Sequence, residues 1–155
     1  MNNSLDPIDK KILDLLQENG RMTNAQLAKD VGLSPPPMLE RVRKLEKQGI
    51  IRKYVALVDP KKVDRGTMAL VSVSLRLHQK NAIQEFVKEI QNIPEILECH
   101  HITGEEDYVL KVAIKDIEEY ERFLREQLTR ISGIRKITTS FILKTIKHQT
   151  KIPVD

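Results

Sequence analysis

Residues Asn24–Gly49, NAQLAKDVGLSPPPMLERVRKLEKQG, decide how the rest of the chain is read. They hold two helical patterns joined by a very short connection. Asn24 suits an N-cap, and Leu27, Ala28 and Val31 follow at helical spacing. Gly32 supplies the positive φ that stops a first helix at little cost. Only Leu33 and Ser34 separate this helix from the next, and Ser34 is a second N-cap with Pro35 at the first helical position. Met38, Val42 and Leu45 then form one apolar stripe, and Gly49 closes the second helix. Ala28 and Gly32 are small and four residues apart, so two helices can cross closely at a steep angle. That is the helix-turn-helix arrangement, whose second helix enters the DNA major groove.

An ordinary αα-hairpin shares this spacing, and the polar face separates the two readings. Opposite the apolar stripe lie Pro36, Glu40, Arg43, Lys44 and Lys47, with Leu39 and Arg41 on the flanks. From Arg41 to Lys53 six basic residues face one acid, Glu46, whereas a merely solvated face mixes its signs. The candidate DNA contacts are therefore Ser34, Pro36, Pro37, Leu39, Glu40, Arg41, Arg43, Lys44 and Lys47, with Arg43, Lys44 and Lys47 the best phosphate ligands. Arg41, on the flank, either contacts phosphate or braces the fold.

The run LSPPPMLERVRKLEKQGIIRKYVALVDP, Leu33–Pro60, resembles the signature of the Lrp/AsnC family of bacterial and archaeal leucine- and asparagine-responsive regulators. The resemblance extends over nearly the whole chain, from LDPIDKKIL at Leu5 to the closing IKHQTKIP. One departure is Pro36, where the family usually carries Ser, Thr or another small residue. A residue before proline is pushed from the α region, so the second helix is expected to begin nearer Pro37 after an extended lead-in. Pro36 also offers a base edge no hydrogen-bonding group.

The 155 residues allow one ordinary domain or two small ones, and 40% apolar with 31% charged residues suits a soluble globular protein. No run approaches the ~20 apolar residues of a membrane span, and the N-terminus lacks the layout of a signal peptide. The single cysteine, Cys99, excludes an intrachain disulfide framework and fits a reducing, cytoplasmic setting. Residues 1–67 carry 13 Lys/Arg against 9 Asp/Glu, while residues 68–155 carry 13 of each. Only the first half is thus expected to meet phosphate.

The chain reads as α+β in two domains, 1–60 and 61–155. Asp6 caps a first helix with Ile8, Ile12, Leu15 and Leu16 buried, ended by Gly20. With the next two helices it makes a three-helix core. Ile51–Val58 reads as a strand, serving as a wing or as the linker between domains. From Met68 the period becomes two: Ala69, Val71, Val73, Leu75 and Leu77 alternate with Leu70, Ser72, Ser74, Arg76 and His78. A helix with Ile83, Phe86, Val87 and Ile90 follows, then strands over Ile96–Thr103 and Tyr108–Ile114. Asp116 caps a helix with Ile117, Tyr120, Phe123, Leu124 and Leu128 inward, and a last strand runs through Ile137, Thr139, Phe141 and Leu143. The order βαββαβ is that of the ferredoxin-like split βαβ unit. It leaves one sheet face open, carrying Leu70, Val109, Ala113 and Ile142, which calls for a partner.

Cys99, His100 and His101 do not make a metal site, because alternation in a strand turns His100 away from the other two. There is no Gly-rich phosphate loop and no nucleophile–base pair, so neither an enzyme nor a cofactor is expected. The family resemblance implies double-stranded DNA as partner, an amino-acid effector, and homodimers gathered into larger rings, commonly octamers. It also assigns the effector to the element around Gly104, Asp107 and Tyr108. The expected pocket, where two dimers meet, takes His101, Thr103, Gly104, Glu105 and Asp107, with Thr138 and Ser140 as hydroxyl donors and Ile117 near the effector side chain. Gly104 would expose N–H groups to a carboxylate and Asp107 would take an ammonium. An ordinary hairpin turn is the plainer alternative. Glu106 leaves apolar and cationic effectors both open. Two alternatives remain: an enzyme resembling sirohaem decarboxylases, which shares this fold, and an amino-acid-sensing subunit that docks another protein instead of DNA and would lack the basic surface over Arg41–Lys53.

Overall fold

The computed structural model describes residues 5–76 and 80–154. The chain divides into two compact units: one runs to Leu57 and takes in the C-terminal segment from Lys147, and the other is Val58–Ile146. The sequence reading kept that C-terminal segment with the second domain; its seat on the first unit is a long-range contact that local pattern does not announce.

The first unit is built from α1 (Pro7–Glu18), α2 (Asn24–Val31) and α3 (Pro35–Lys47). Asp6 caps α1 by accepting from the Asp9 N–H at 2.8 Å. The cap of α2 is Thr23, one residue before the expected Asn24. A reciprocal capping box fixes it there, with the Gln26 N–H donating to Thr23 at 3.2 Å and the Thr23 N–H donating to the Gln26 side chain at 2.8 Å. Gly32 then takes φ +83° and ends the helix. Ile12, Leu27, Ala28, Met38, Val42 and Leu45 form the buried core. Burying each large member contributes about 1.5–3 kcal/mol.

α3 starts at Pro35, not near Pro37, so all three prolines occupy its first turn. Pro36 and Pro37 have no N–H, so the Ser34 hydroxyl has no donor to accept from and makes no cap bond. The first helical N–H is that of Met38, donating to the Ser34 carbonyl at 3.3 Å. The prolines thus remove the donors an N-terminus leaves unsatisfied, which offsets the penalty on residues preceding proline.

Residues 52–59 form no paired strand among the described residues. This corrects the expected strand: the β-forming side chains are there, but no neighbour in the same chain supplies a ladder. Tyr54 is tied down, donating to Glu46 at 3.0 Å, while Val55, Leu57 and Val58 are exposed.

The second unit holds β1 (Thr67–Leu75), α4 (Lys80–Ile90), β2 (Ile96–His101), β3 (Tyr108–Ile114), α5 (Ile117–Glu126) and β4 (Ile134–Phe141). All pairings are antiparallel in the order β2-β3-β1-β4, the ferredoxin-like arrangement. Ala69, Val71, Val73 and Leu75 of β1 and Leu110, Val112 and Ile114 of β3 meet Phe86, Ile90, Tyr120 and Phe123 in one core. In α4, Phe86 and Ile90 are buried whereas Ile83 and Val87 stay exposed. Ile117, expected inward, opens α5 and is 60% exposed. Leu143, expected in the last strand, lies past its end and is exposed. Leu77 and His78, expected to extend β1, lie outside the described residues.

Candidate DNA interface and ligand-binding face

The buried stripe Met38, Val42 and Leu45 fixes which side of α3 faces out. Ser34, Pro36, Pro37, Glu40, Arg43, Lys44 and Lys47 are all exposed, and Leu39 is half-buried. Arg43 makes only a 3.3 Å pair with Glu40, both side chains being well exposed, and such pairs contribute little. It is therefore readily released to a phosphate. Arg41 differs: its guanidinium donates to Asp6 at 2.6 Å and to Asp9 at 2.7 Å. Asp9 is buried. The Asp6 carboxyl is held below its ordinary range by the Asp9 N–H and then by Arg41. Arg41 thus braces α3 against α1.

The first unit carries twelve Lys/Arg against eight Asp/Glu, and the second fourteen of each, so the whole net charge of +4 lies with the three-helix unit.

In the second unit the open sheet face is defined by register. Leu70 lies between Lys111 and Ser140, Ser72 between Val109 and Thr138, and Ser74 beside Lys136. Ala113 pairs with Met68, whose carbonyl accepts from the Ile142 N–H at 2.8 Å. The turn before β3 closes one end of this face. Gly104 adopts φ +133°, a region nearly closed to side chains. Asp107 is stitched into the sheet: its carboxylate accepts from the Leu75 N–H at 2.7 Å, and its own N–H donates to the Val73 carbonyl at 3.0 Å. One of the two oxygens expected for an ammonium is thereby committed.

Glu106 accepts from Lys136 at 2.8 Å and from the buried Ser74 hydroxyl. Lys136 and then Ser74 hold its carboxyl below the usual range. The sequence reading missed both partners, although alternation already put Ser74 on the open face.

The expected pocket residues divide. Thr103, Gly104 and Glu105 are exposed on the turn, and Thr138 and Ser140 are exposed on the open face. His101 stacks on Tyr108, centroids 4.9 Å apart, and Tyr108 packs on Phe86 of the core. His101 therefore lies on the helix-covered side. Ile117 follows the far end of β3, roughly 20 Å from the turn at the usual rise per residue. His100 pairs with Glu98 at 3.0 Å, away from His101, and among the described residues no cluster could hold a metal. No described helix is long and apolar enough to cross a membrane.

A three-helix unit with a basic recognition helix, joined to a four-stranded sheet with an open, turn-closed face, defines a helix-turn-helix regulator with a separate ligand-binding domain. Comparison with known proteins agrees. Residues 5–52 match the winged helix-turn-helix DNA-binding family, and residues 68–152 match the Lrp/AsnC ligand binding domain. The leucine-responsive regulatory proteins of Klebsiella pneumoniae and Escherichia coli K12 are each 38% identical over 150 residues, covering 97% of this chain and 92% of theirs. A Neisseria meningitidis transcriptional regulator, solved as its L-Met complex, is 42% identical with a TM-score of 0.93 over 97% of both chains. An AsnC family regulator from Agrobacterium tumefaciens is 36% identical, TM-score 0.91, covering 96% of this chain and 97% of that one. The chain belongs to the Lrp/AsnC family of DNA-binding, amino-acid-responsive transcriptional regulators.

Proposed function

We propose that residues 1–60 dock α3 in the major groove of operator DNA, and that residues 61–155 bind an apolar α-amino acid and assemble the protein. One observation carries the DNA reading: the core stripe of α3 turns Arg43, Lys44 and Lys47 outward together. Ser34, Pro36, Pro37, Leu39 and Glu40 complete the contact surface, with apolar contact at Pro36. Arg41 acts from behind as the brace.

Two observations support an apolar effector. The Neisseria relative was solved with L-Met, and the acid that would favour a cationic side chain, Glu106, is already neutralised by Lys136. The effector carboxylate meets the N–H groups around Gly104. Its ammonium meets the second oxygen of Asp107, with Glu105, Thr103, Thr138 and Ser140 around it. Ile117 joins that pocket only from another copy of the chain, and His101 only from the opposite side of the sheet.

The open face with Leu70, Val109 and Ile142, Ala113 being already buried within the chain, and the exposed, unpaired residues Val55, Leu57 and Val58, support a homodimer. The family resemblance extends this to octamers. The protein acts in the cytoplasm and without catalysis; a Soret band in the purified protein would instead favour the sirohaem enzyme. The decisive experiment is a melt against L-leucine, L-methionine and L-lysine. A ligand at a hundred times its Kd raises stability by about 2.7 kcal/mol, and a shift with L-lysine alone would refute the apolar assignment.

A further inference from the structure

The chain leaves β4 at Phe141 and, after five intervening residues, joins the three-helix unit at Lys147. There it is held by three side chains of α1. Gln17 forms a two-bond ring with the Ile152 backbone: its amide N–H donates to the Ile152 carbonyl at 2.9 Å, and the Ile152 N–H donates to its amide oxygen at 2.7 Å. Lys151 sits between Asp14, at 3.2 Å, and Glu18, at 2.7 Å. Asp14, Gln17 and Glu18 follow i, i+3, i+4, so they form one stripe along α1. Val154 adds apolar contact to the core of the unit. A side-chain amide paired with a backbone amide imitates a strand pairing, and it selects an extended segment in one register.

α1 therefore carries two attachments. One of its stripes holds the C-terminal segment, and Asp6 and Asp9 hold Arg41 of the recognition helix. The three-helix unit is also joined to the rest of the chain twice, at 57–58 and at 146–147. A single connection would leave it more orientational freedom than two. A second connection restricts that freedom before DNA is met, so less orientational freedom is given up on docking.

We propose that residues 147–154 are a strap whose seating on α1 sets the DNA affinity of the three-helix unit. Through it, the ligand state of β4, the strand bearing Thr138 and Ser140, reaches the recognition helix. The ligand half of this statement rests on the amino-acid reading above.

The test uses the full chain and three changes, at half-buried Gln17 and exposed Glu18 and Lys151: Gln17→Leu, Glu18→Lys and Lys151→Glu, with E18K/K151E as the charge-restored pair. DNA affinity is measured by fluorescence anisotropy with and without L-leucine or L-methionine, circular dichroism verifying the fold. General electrostatics predicts that E18K tightens DNA binding and K151E weakens it. Strap release predicts that all three single variants weaken it at least threefold and lose the ligand-dependent change, while the pair recovers both. The melt shift with ligand persists in every variant, because the binding face is untouched. Single variants within twofold of wild type, or opposite responses of E18K and K151E, overturn the strap, as does a wild-type ligand response in Gln17→Leu. If the unmodified protein shows no melt shift with either amino acid, the ligand reading fails. The strap is then judged on ligand-free affinity alone.

Discussion

In the recognition helix, Nη1 of Arg41 donates to Oδ1 of Asp9 in α1 at 2.7 Å, and Asp9 is only 2% exposed. A buried carboxylate without its cation is strongly unfavourable, so this pair fixes α3 on its neighbour even though it need not stabilise the fold relative to an apolar pair. Asp6 shares the same guanidinium. Arg41→Ala should therefore destabilise the protein by about 3 kcal/mol, measured by denaturant unfolding. Replacing both partners, Arg41→Met with Asp9→Leu, should cost less than that single change. Once folded, the Arg41→Ala variant keeps the wild-type salt dependence of DNA binding.

The same site gives an acid response. The folded Asp6 carboxyl lies below its ordinary value, through the Asp9 N–H first and Arg41 second. A depressed carboxylate contributes stability above its unfolded value and loses it as the pH falls through the folded one. The melting-temperature gap between wild type and Asp6→Asn should be full at neutral pH and shrink below about pH 4. A gap constant from pH 7 to pH 3 would count against the linkage.

At the turn before β3, two residues are constrained for different reasons. Gly104 has open space around a missing Cβ, yet its φ of +133° strains any side chain. Gly104→Ala should cost about 1–3 kcal/mol from backbone alone. Asp107→Ala frees the Leu75 N–H and should cost a similar amount, about 1–3 kcal/mol. Beyond that, it should abolish the amino-acid melt shift while leaving ligand-free DNA binding intact. A ligand shift of wild-type size in Asp107→Ala would remove Asp107 from the pocket.

Much of this was legible locally. The stripe of α3, the glycine at Gly32 and the alternation in β1 and β3 are written in short-range spacing. What was not legible depends on partners distant in sequence. Arg41 can face either way on sequence alone, and Asp9, 32 residues away, decides its direction. Thr23 and Asn24 are both good caps, and Gln26 decides between them. His101 and Thr138 looked like neighbours until the register put them on opposite faces. Nothing in Gln17 or Ile152 announces a pairing across 135 residues.

The open sheet face makes an assembly prediction. Val109 and Ile142 are half-buried on it in a single chain. Val109→Lys or Ile142→Lys should give smaller particles than wild type in light scattering, or insoluble protein. A wild-type monomer at micromolar concentration would contradict the proposed dimer.

The central claim is that the outward face of α3 meets DNA phosphates, and the salt dependence of binding measures it most directly. Removing one cation that neutralises a phosphate should reduce the slope of log affinity against log salt by about one unit. Arg43→Ala combined with Lys44→Ala should therefore weaken binding and flatten that slope by about two units. An unchanged affinity and an unchanged slope in the double variant would contradict the docking.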